Sequence, residues 1–391
     1  MRILIYSYNF LPKDRGGMEK FIFSLVQRLK KNHEISLLLP KRHNICISGI
    51  KIYHISEIFT KYNRDDLSRL KFLITGPIKF LSNIISTSII LPRVLKKNKI
   101  QIVTVFQPSI YSTLVNFIGL LFKKKTCISL RGMEGDVTFF SQLSMDLTFL
   151  FSRAVIINSE DLYDRYLKTI SIPRAFFSNK KVFYLPNGVN GEYWKPDKTD
   201  EISNDSDLVF VGNLTDKSQI KNKGIKFLYQ AIKILRENNN LNLNVVVIGR
   251  VNMYLLKKLI APDIESYFDF YGFLKNYNLL KTKIQKSRIY VLPSISEGMP
   301  NSLMEAMALE MPCIASNVGG VPELIEHNVD GLIFEPKNPK KLADLIRLLL
   351  EDENLQKKLG MNARKKMMNK FNWNQIIKKL EIFYGNLLIN E

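Results

Sequence analysis

Two glutamates are the residues of this sequence whose type and spacing point most directly to chemistry. Glu297 and Glu305 lie at either end of the stretch "EGMPNSLME". The Gly-x-Pro after the first glutamate predicts a loop, because glycine adopts unusual backbone angles and proline stops a helix that arrives from before it. Asn301 or Ser302 is then expected to cap a helix that carries Glu305 about one turn further on.

The predicted start of this helix would be an anion site. The first backbone N–H groups of a helix have no partner within it and carry a partial positive charge, which suits a diphosphate. Glu305 could accept hydrogen bonds from the vicinal hydroxyls of a ribose beside it, and Glu297 would meet hydroxyls beyond the diphosphate. The spacing fits a nucleotide-diphosphate-sugar. By itself, Glu-x7-Glu also describes helices whose glutamates are merely solvated.

The elements that must position these residues occur in two similar series. A strand "RILIYSYNF", a Gly-Gly turn, a helix "MEKFIFSLVQRLKK" and a strand "EISLLLP" open the chain. Near residue 208 the order restarts with "LVFVGN", a Lys-rich loop, "IKFLYQAIKILRE" and "LNVVVIG". Strand, glycine turn, helix and strand form the repeating unit of a doubly wound α/β sheet. We therefore expect two Rossmann-like domains.

The domain boundary is predicted at "YLPNGVNGEYWKPD", which is rich in Pro, Gly and Asn. We expect one domain over residues 1–186 and a second over 187–371. A C-terminal helix of about residues 372–391, apolar along one stripe, would pack back onto the first domain. Because "RIYVLPS" reads as a parallel strand, the loop with Glu297 would lie at the carboxyl edge of the second sheet, where ligands bind.

The charge balance predicts anionic partners. The 391 residues include 57 Lys and Arg but 36 Asp and Glu, a net charge of +21. Such an excess fits nucleic acid, a membrane surface or phosphate-bearing substrates, or it reflects a general richness in lysine. No basic-aromatic RNA motif or zinc finger occurs, so nucleic acid is not expected. The three cysteines are far apart and form no cluster with histidines, which excludes a structural zinc site and indicates a reducing compartment.

Two apolar segments with basic ends leave membrane binding open. These are "KFLITGPIKFLSNIISTSIILPRVLKKNK" and "TLVNFIGLLFKKK". Either they form ordinary core helices or they place an apolar, basic face on an anionic inner leaflet. The amino terminus lacks the apolar core of a signal peptide, and no apolar run reaches the roughly 18 residues of a spanning helix. We expect a cytoplasmic protein, and peripheral attachment to the inner face of the cell membrane is the second interpretation.

A longer stretch, "SEGMPNSLMEAMALEMPCIASNVGGVPELI", is similar to the donor-binding segment of family 4 glycosyltransferases. Further segments agree in order: "GGMEKFIFSLVQRL", "VIINSE", "LPNGVN", "VFVGNL", "KNKGI", "VVVIG", "YGFL" and "GLIFEP". The resemblance is strongest over residues 208–336 and weaker over 40–125. It implies the α/β GT-B fold, in which two Rossmann-like doubly wound domains face a central cleft.

The resemblance also implies an activity. Family members transfer a sugar from a nucleotide donor with retention of configuration, usually without a metal or other cofactor. We therefore expect a hexosyltransferase that uses a nucleotide-diphosphate-sugar and a saccharide or lipid-linked acceptor in cell-surface polysaccharide or glycolipid biosynthesis. The sequence offers no strong candidate for an enzymic nucleophile. This suits a front-face mechanism in which the leaving phosphate assists the incoming hydroxyl.

Individual roles follow from the same resemblance. Glu297 matches the glutamate that contacts the transferred sugar, and Glu305 matches the one that binds the ribose. Lys223 of "KNKGI" matches the lysine that offsets charge on the leaving diphosphate. The backbone expected to hold sugar and phosphates is that of Gly298, Met299, Pro300, Asn301 and Ser302. The loop of Gly16 and Gly17 is expected to approach the donor. The loop of Asn187 and Gly188 is expected to act as the hinge.

Two positions depart from the family pattern. Asn213 stands where an arginine is usual, and we expect Lys217, Lys221 or Arg250 to supply the missing charge. Arg131 stands where a histidine that contacts the donor sugar is frequent in the family, and with Glu297 and Lys223 it is a candidate catalytic residue. Arginine cannot act as a base at neutral pH, so Arg131 is expected either to bind an anionic sugar or an acceptor phosphate, or to pair with Glu134 or Asp136.

Other functions are compatible with the same fold. A sugar phosphorylase or a nucleotide-sugar epimerase would keep the architecture, although an epimerase needs acid–base residues and no histidine here is a persuasive one. A non-catalytic saccharide-binding protein is a further alternative. The presence of Glu297, Lys223 and Glu305 together argues against it.

Overall fold

The computed structural model describes residues 1–10, 17–40, 43, 45–55, 68–131, 139–169, 171, 180–197, 205–239 and 241–389, with 68–81, 139–141 and 238–239 as backbone only. Gly16 and the two acidic residues considered as partners of Arg131, Glu134 and Asp136, lie outside them. The chain folds as two compact units, Met1–Leu185 together with Ile377–Glu391, and Pro186–Ile376.

The first unit is built on a parallel sheet of seven described strands in the order β3-β2-β1-β4-β5-β6-β7. The strands are β1 (Arg2–Tyr6), β2 (Glu34–Pro40), β3 (Lys51–Ile55), β4 (Ile102–Phe106), β5 (Lys125–Leu130), β6 (Ala154–Ile157) and β7 (Lys181–Tyr184). Its helices are α1 (Gly17–Leu29), α2 (Ser68–Lys97), α3 (Ile110–Leu121), α4 (Phe139–Leu150) and α5 (Glu160–Thr169). The central strands are near-continuous apolar runs because helices on both faces exclude water from them.

The core on one face of this sheet lies beneath α2, α3 and α4. The helix α3 packs against both α2 and α4, and the three bury inward-facing residues such as Leu91, Val115 and Phe149. These side chains meet strand residues such as Val103 and Ile128. Each buried aliphatic side chain of this size stabilises the fold by about 1.5–3 kcal/mol relative to exposure.

The second unit is built on a parallel sheet of six described strands in the order β10-β9-β8-β11-β12-β13. The strands are β8 (Ser206–Val211), β9 (Val245–Ile248), β10 (Asp269–Gly272), β11 (Ser287–Leu292), β12 (Cys313–Ser316) and β13 (Leu332–Phe334). The helices are α6 (Lys217–Asn222), α7 (Ile225–Asn239), α8 (Met253–Leu259), α9 (Tyr277–Gln285), α10 (Asn301–Ala308), α11 (Val321–Leu324), α12 (Pro339–Glu351), α13 (Glu353–Lys370) and α14 (Trp373–Ile389). Both units are doubly wound α/β sheets, which confirms the predicted fold class.

The helix α14 begins in the second unit and ends in the first, which it joins from Ile377 onward. Within the first unit, the Tyr384 hydroxyl lies 2.7 Å from the Thr104 hydroxyl of β4. The Phe383 ring stacks on Phe183 of β7 with 4.2 Å between centroids. The return of the C-terminal segment is therefore held by side chains of two sheet strands.

Candidate active site

The strand order brings two loops of the second unit together. β8 pairs directly with β11, so the segments that follow them leave the same edge of the sheet side by side. The Ile295 N–H donates to the Asn222 carbonyl over 2.7 Å. Gly224 has φ +64°, and a Cβ there would come within 1.8 Å of the Pro293 carbonyl oxygen. Only glycine permits this close approach, which seats the Lys223 segment against the Glu297 segment.

Lys223 and Glu297 form an ion pair at this junction. The Lys223 Nζ lies 2.7 Å from Glu297 Oε1. The Ser294 hydroxyl donates to the same oxygen over 2.7 Å. The Lys223 side chain is 26% exposed and that of Glu297 10%. The structure thus brings together two residues that the sequence assigned to different parts of a donor, and the lysine side chain stays partly exposed.

The start of α10 differs in one detail from the sequence-based prediction. Pro300, with no side-chain capping hydrogen bond, precedes the helix, so the prediction that Asn301 or Ser302 caps it is wrong. Both polar side chains have other partners. Asn301 Oδ1 accepts from Asn187 Nδ2 over 2.9 Å, and Ser302 Oγ accepts from the Tyr290 hydroxyl over 2.8 Å. These side chains anchor the first turn of α10.

The buried Tyr290 supports the helix start from within the sheet. Burial raises the pKa of its phenol well above the usual range, and the charges of Glu297 and Glu305 raise it further, against an opposing effect of the Ser302 hydroxyl. The phenol is therefore neutral at pH 7 and available as a hydrogen-bond donor. The hydrogen bond from this phenol holds the side chain of Ser302 in place.

Asn187 holds the loop before α10 from a third direction. Its Nδ2 donates to the Met299 carbonyl over 2.9 Å as well as to Asn301. At the next position, a Cβ on Gly188 would meet the Trp373 ring at 2.5 Å. No local pattern indicates these bonds, because the "LPNGVN" motif lies more than a hundred residues before the loop that it contacts.

A glycine pair after β12 packs against the other side of the Glu297 loop. The Gly320 N–H donates to the Gly298 carbonyl over 2.7 Å. Gly319 has φ +53°, and a Cβ there would lie 1.9 Å from the Glu297 carbonyl oxygen. The "NVGG" sequence was part of the resemblance but carried no assigned role. The feature of the sequence that could have indicated a role is a glycine pair shortly after β12, the strand that pairs with β11.

Glu305 lies half-buried on α10, and an aromatic residue that the sequence analysis missed is near it. Partial burial, and then the charge of the Glu305 carboxylate, raise the pKa of the Tyr193 phenol. The Tyr193 hydroxyl donates to Asn278 Oδ1 over 2.8 Å. Tyr193 and Trp194 are adjacent aromatic residues in the predicted boundary segment "YLPNGVNGEYWKPD". This aromatic pair was the only feature of the sequence that could have drawn attention to Tyr193.

The residues proposed to replace the missing arginine lie on α6 and in the segment that follows β9. Asn213 Oδ1 accepts from the Arg250 backbone N–H over 3.0 Å. The Arg250 guanidinium lies 4.8 Å from the centre of the Phe273 ring. Lys217 and Lys221 are exposed at the two ends of α6. Asn213 therefore orders the backbone beside β8, and which cation supplies the charge stays a prediction.

The candidates in the first unit have different surroundings. Gly17 begins α1. Arg131 is buried, with its guanidinium carbon 3.6 Å from the centre of the Phe21 ring. Its Nη1 donates to the Leu185 carbonyl over 2.8 Å, and burial lowers its pKa to about 9. A catalytic role for Arg131 stays a prediction, and its described contacts are those of a structural cation.

The described part of the chain contains neither a candidate metal-binding cluster nor a candidate membrane-spanning helix. No group of three or more His, Cys, Asp or Glu side chains within it could hold a metal ion. No helix within it combines the length and the apolar character needed to cross a membrane.

Comparisons with known proteins agree with this fold. Residues 195–366 match the model of the family "Glycosyl transferases group 1". An uncharacterized glycosyltransferase of Methanocaldococcus jannaschii is 25% identical over 97% of this chain and 96% of its own length. The UDP-Gal:alpha-D-GlcNAc-diphosphoundecaprenol alpha-1,3-galactosyltransferase of Escherichia coli is 26% identical over 61% of this chain and 62% of its own.

Solved structures share the architecture. The structure of Anabaena HepE in complex with UDP superimposes with a TM-score of 0.71 at 15% identity, covering 99% of this chain and 100% of its own. At that identity the likeness concerns the fold. The fold and the sequence comparisons together support a glycosyltransferase of the GT-B fold.

Proposed function

We propose that this protein is a retaining glycosyltransferase of family 4 that moves a hexose-type sugar from a nucleotide-diphosphate-sugar to a saccharide or lipid-linked acceptor. The observation that carries the proposal is the Lys223–Glu297 ion pair, which lies at the carboxyl edge of the second sheet beside the start of α10. The E. coli relative, whose name specifies a UDP-sugar and a diphospholipid-linked acceptor, supports the donor and acceptor classes.

The donor would bind with its diphosphate at the start of α10. The first-turn N–H groups attract anions, and Lys223 would exchange Glu297 for the diphosphate. The released Glu297 carboxylate would accept hydrogen bonds from hydroxyls of the transferred sugar. Glu305, one turn into α10, would accept hydrogen bonds from the ribose hydroxyls.

The transfer itself would need no enzymic nucleophile. The bond between the anomeric carbon and the diphosphate oxygen breaks, and a bond from the acceptor oxygen forms on the same face of the sugar. The acceptor proton passes to the departing diphosphate oxygen. Lys223 and the α10 N-terminus offset the charge that grows on that group, so the reaction would proceed without a metal ion or other cofactor. Arg250, Lys217 or Lys221 would add the charge that Asn213 lacks.

Nucleotide binding is tested first. UDP, GDP and ADP, and their sugar conjugates, are each added to the full chain in a thermal-shift assay. One nucleoside diphosphate should raise the melting temperature selectively, because stabilisation grows with ligand concentration over Kd. Glu305→Gln should weaken this shift, whereas Glu351→Gln, an exposed position on α12, should not. No selective stabilisation by any nucleotide would contradict the proposal.

Turnover is tested with the nucleotide sugar that binds. Slow release of the nucleoside diphosphate, unchanged by a chelator, should accompany transfer to an added acceptor, and NMR of the product should show the donor's anomeric configuration. Inversion would overturn the retaining mechanism. Release of sugar phosphate from a glycoside and inorganic phosphate would identify a phosphorylase instead. An altered sugar still attached to its nucleotide would identify an epimerase, and binding without turnover a saccharide-binding protein.

A further inference from the structure

One stretch of the first unit has no acidic residue. Residues 67–133 contain eleven Lys or Arg and no Asp or Glu, in a chain that has 36 acidic residues. The stretch includes α2, β4, α3 and β5. It therefore supplies about half of the net charge of +21. This local excess goes beyond an even spread of lysine over the surface.

The helix α3 is apolar on its outer face as well as its inner one. Val115 and Ile118 face the core, as a helix on a sheet requires. On the outer face Ile110, Phe117 and Leu121 are exposed, with Leu121 64% exposed. A helix that covers a sheet normally turns polar residues to water. The outer stripe of α3 is thus built for an apolar environment.

The neighbouring helices extend this stripe on both sides. The helix α2 exposes Ile85 and Ile89, and α4 exposes Leu143 and Leu150. The Phe117 ring of α3 lies 5.0 Å from that of Phe151, directly after α4. The exposed apolar residues of the three adjacent helices form what we call the α2–α4 face: Ile85, Ile89, Ile110, Phe117, Leu121, Leu143 and Leu150.

Basic residues gather where these helices end. In a parallel α/β sheet all three helices run antiparallel to the strands, so their C-termini lie at the same, amino edge of the sheet. The Lys96 Nζ of α2 lies 5.5 Å from the Phe122 ring that ends α3, which ties two of these ends together. The exposed basic residues at the helix ends are Arg93, Lys96, Lys97, Lys123 and Arg153.

We propose that the α2–α4 face docks on a bilayer that contains anionic phospholipid. The isoleucine, leucine and phenylalanine side chains would enter the boundary between headgroups and acyl chains, and the basic helix ends would contact the phosphates. A nucleic acid offers no apolar partner for this face, and a second copy of the chain presents the same excess of positive charge. An anionic bilayer complements both features at once.

Vesicle binding tests the charge requirement, and it needs no sugar donor, so its outcome is separate from that of the proposed activity. The full chain is sedimented with vesicles of phosphatidylcholine alone or mixed with phosphatidylglycerol. Binding should require phosphatidylglycerol and weaken with salt. Lys97→Gln, Lys123→Gln and Lys124→Gln combined should weaken it by about fivefold for each lysine. The matched triple Lys340→Gln, Lys357→Gln and Lys358→Gln, on α12 and α13, should bind as the wild type does.

The apolar requirement is tested with Phe117→Ser and Leu121→Ser combined, against Leu348→Ser and Met361→Ser, which remove exposed apolar residues from the second unit. Only the first pair should lose vesicle binding, by about tenfold or more, while both keep the wild-type melting temperature. Equal binding to neutral vesicles, or equal losses in matched variants, would overturn the proposal. So would a light-scattering mass that falls from dimer to monomer in the first pair, since a second copy would then cover this face.

Discussion

Lys223 and Arg131, the two cations that the sequence assigned to catalysis, lie in opposite surroundings. Lys223 is partly exposed and pairs with a carboxylate on a neighbouring loop. Arg131 is buried, lies over the Phe21 ring and donates to the backbone carbonyl of Leu185. An accessible ion pair can exchange its partner for a ligand at small cost. A buried cation that hydrogen-bonds to backbone oxygens is expensive to move.

The difference shows that matching a family position does not determine what a charged side chain does. Both residues were assigned from their place in a motif. Their surroundings separate a residue that is available to a substrate from one that is part of the core. Variants at these and related positions test this distinction.

The largest effect is expected for Lys223→Ala. Removing one group that stabilises charge in the transition state should lower the transfer rate at saturating donor by about 10²–10³-fold, or about 2.7–4 kcal/mol. The melting temperature should change little, because the Lys223 side chain is partly exposed and Glu297 keeps its hydrogen bond from Ser294. Lys226→Ala, an exposed lysine at the start of α7, is the control. A rate within twofold of the wild type would contradict the role of Lys223.

Arg131→Met should act on stability. The substitution removes hydrogen bonds from a buried charged donor, each contributing about 1.5–3 kcal/mol, so the free energy of unfolding measured in urea should fall by about 3 kcal/mol. Arg153→Met, at an exposed arginine, is the matched control. The activity of each folded molecule should be nearly unchanged. A stable Arg131→Met protein without activity would reverse the comparison and support the catalytic assignment.

Asn187→Ala should have an intermediate effect, on the second unit. The amide of Asn187 donates to the Met299 carbonyl and to Asn301. Leaving buried partners unsatisfied costs about 1–3 kcal/mol, and the loosened loop should raise the KM for the donor more than it lowers kcat. Denaturant unfolding and donor saturation curves measure the two effects. Asn354→Ala, an exposed asparagine on α13, should change neither.

The smallest effect concerns Lys180, a third cation that donates to the backbone carbonyls of Leu150 and Ser152. Partial burial lowers its pKa from 10.5 to about 8 in the folded protein. Between these two pH values the unfolded chain binds more protons, so stability contributed by this residue should rise with pH across that window. Lys180→Met should lose this rise in urea titrations at several pH values. An identical pH dependence of the free energy of unfolding in both proteins would show that burial of Lys180 does not affect stability.

The repeating βαβ pattern and the ordered motifs were enough to predict the fold class and the elements around the site. Apolar runs such as "EISLLLP" correspond to β2 (Glu34–Pro40) residue for residue. A helix that carries Glu305 was also expected and corresponds to α10 (Asn301–Ala308), but its observed start was not expected. Asn and Ser favour the N-cap in general, and here each is drawn to a partner, Asn187 or Tyr290, that is distant in the sequence.

The order of residues along the chain specifies which residue types follow each strand: Lys223 after β8, Glu297 and Glu305 after β11, and a glycine pair after β12. These are local properties of the chain, set by periodicity and turn chemistry. Three further features appear only in the folded chain: the three loops meet, Glu297 accepts from both Lys223 and Ser294, and Arg131 is buried. Those outcomes depend on strand order and on contacts between distant segments, and no local pattern specifies either one.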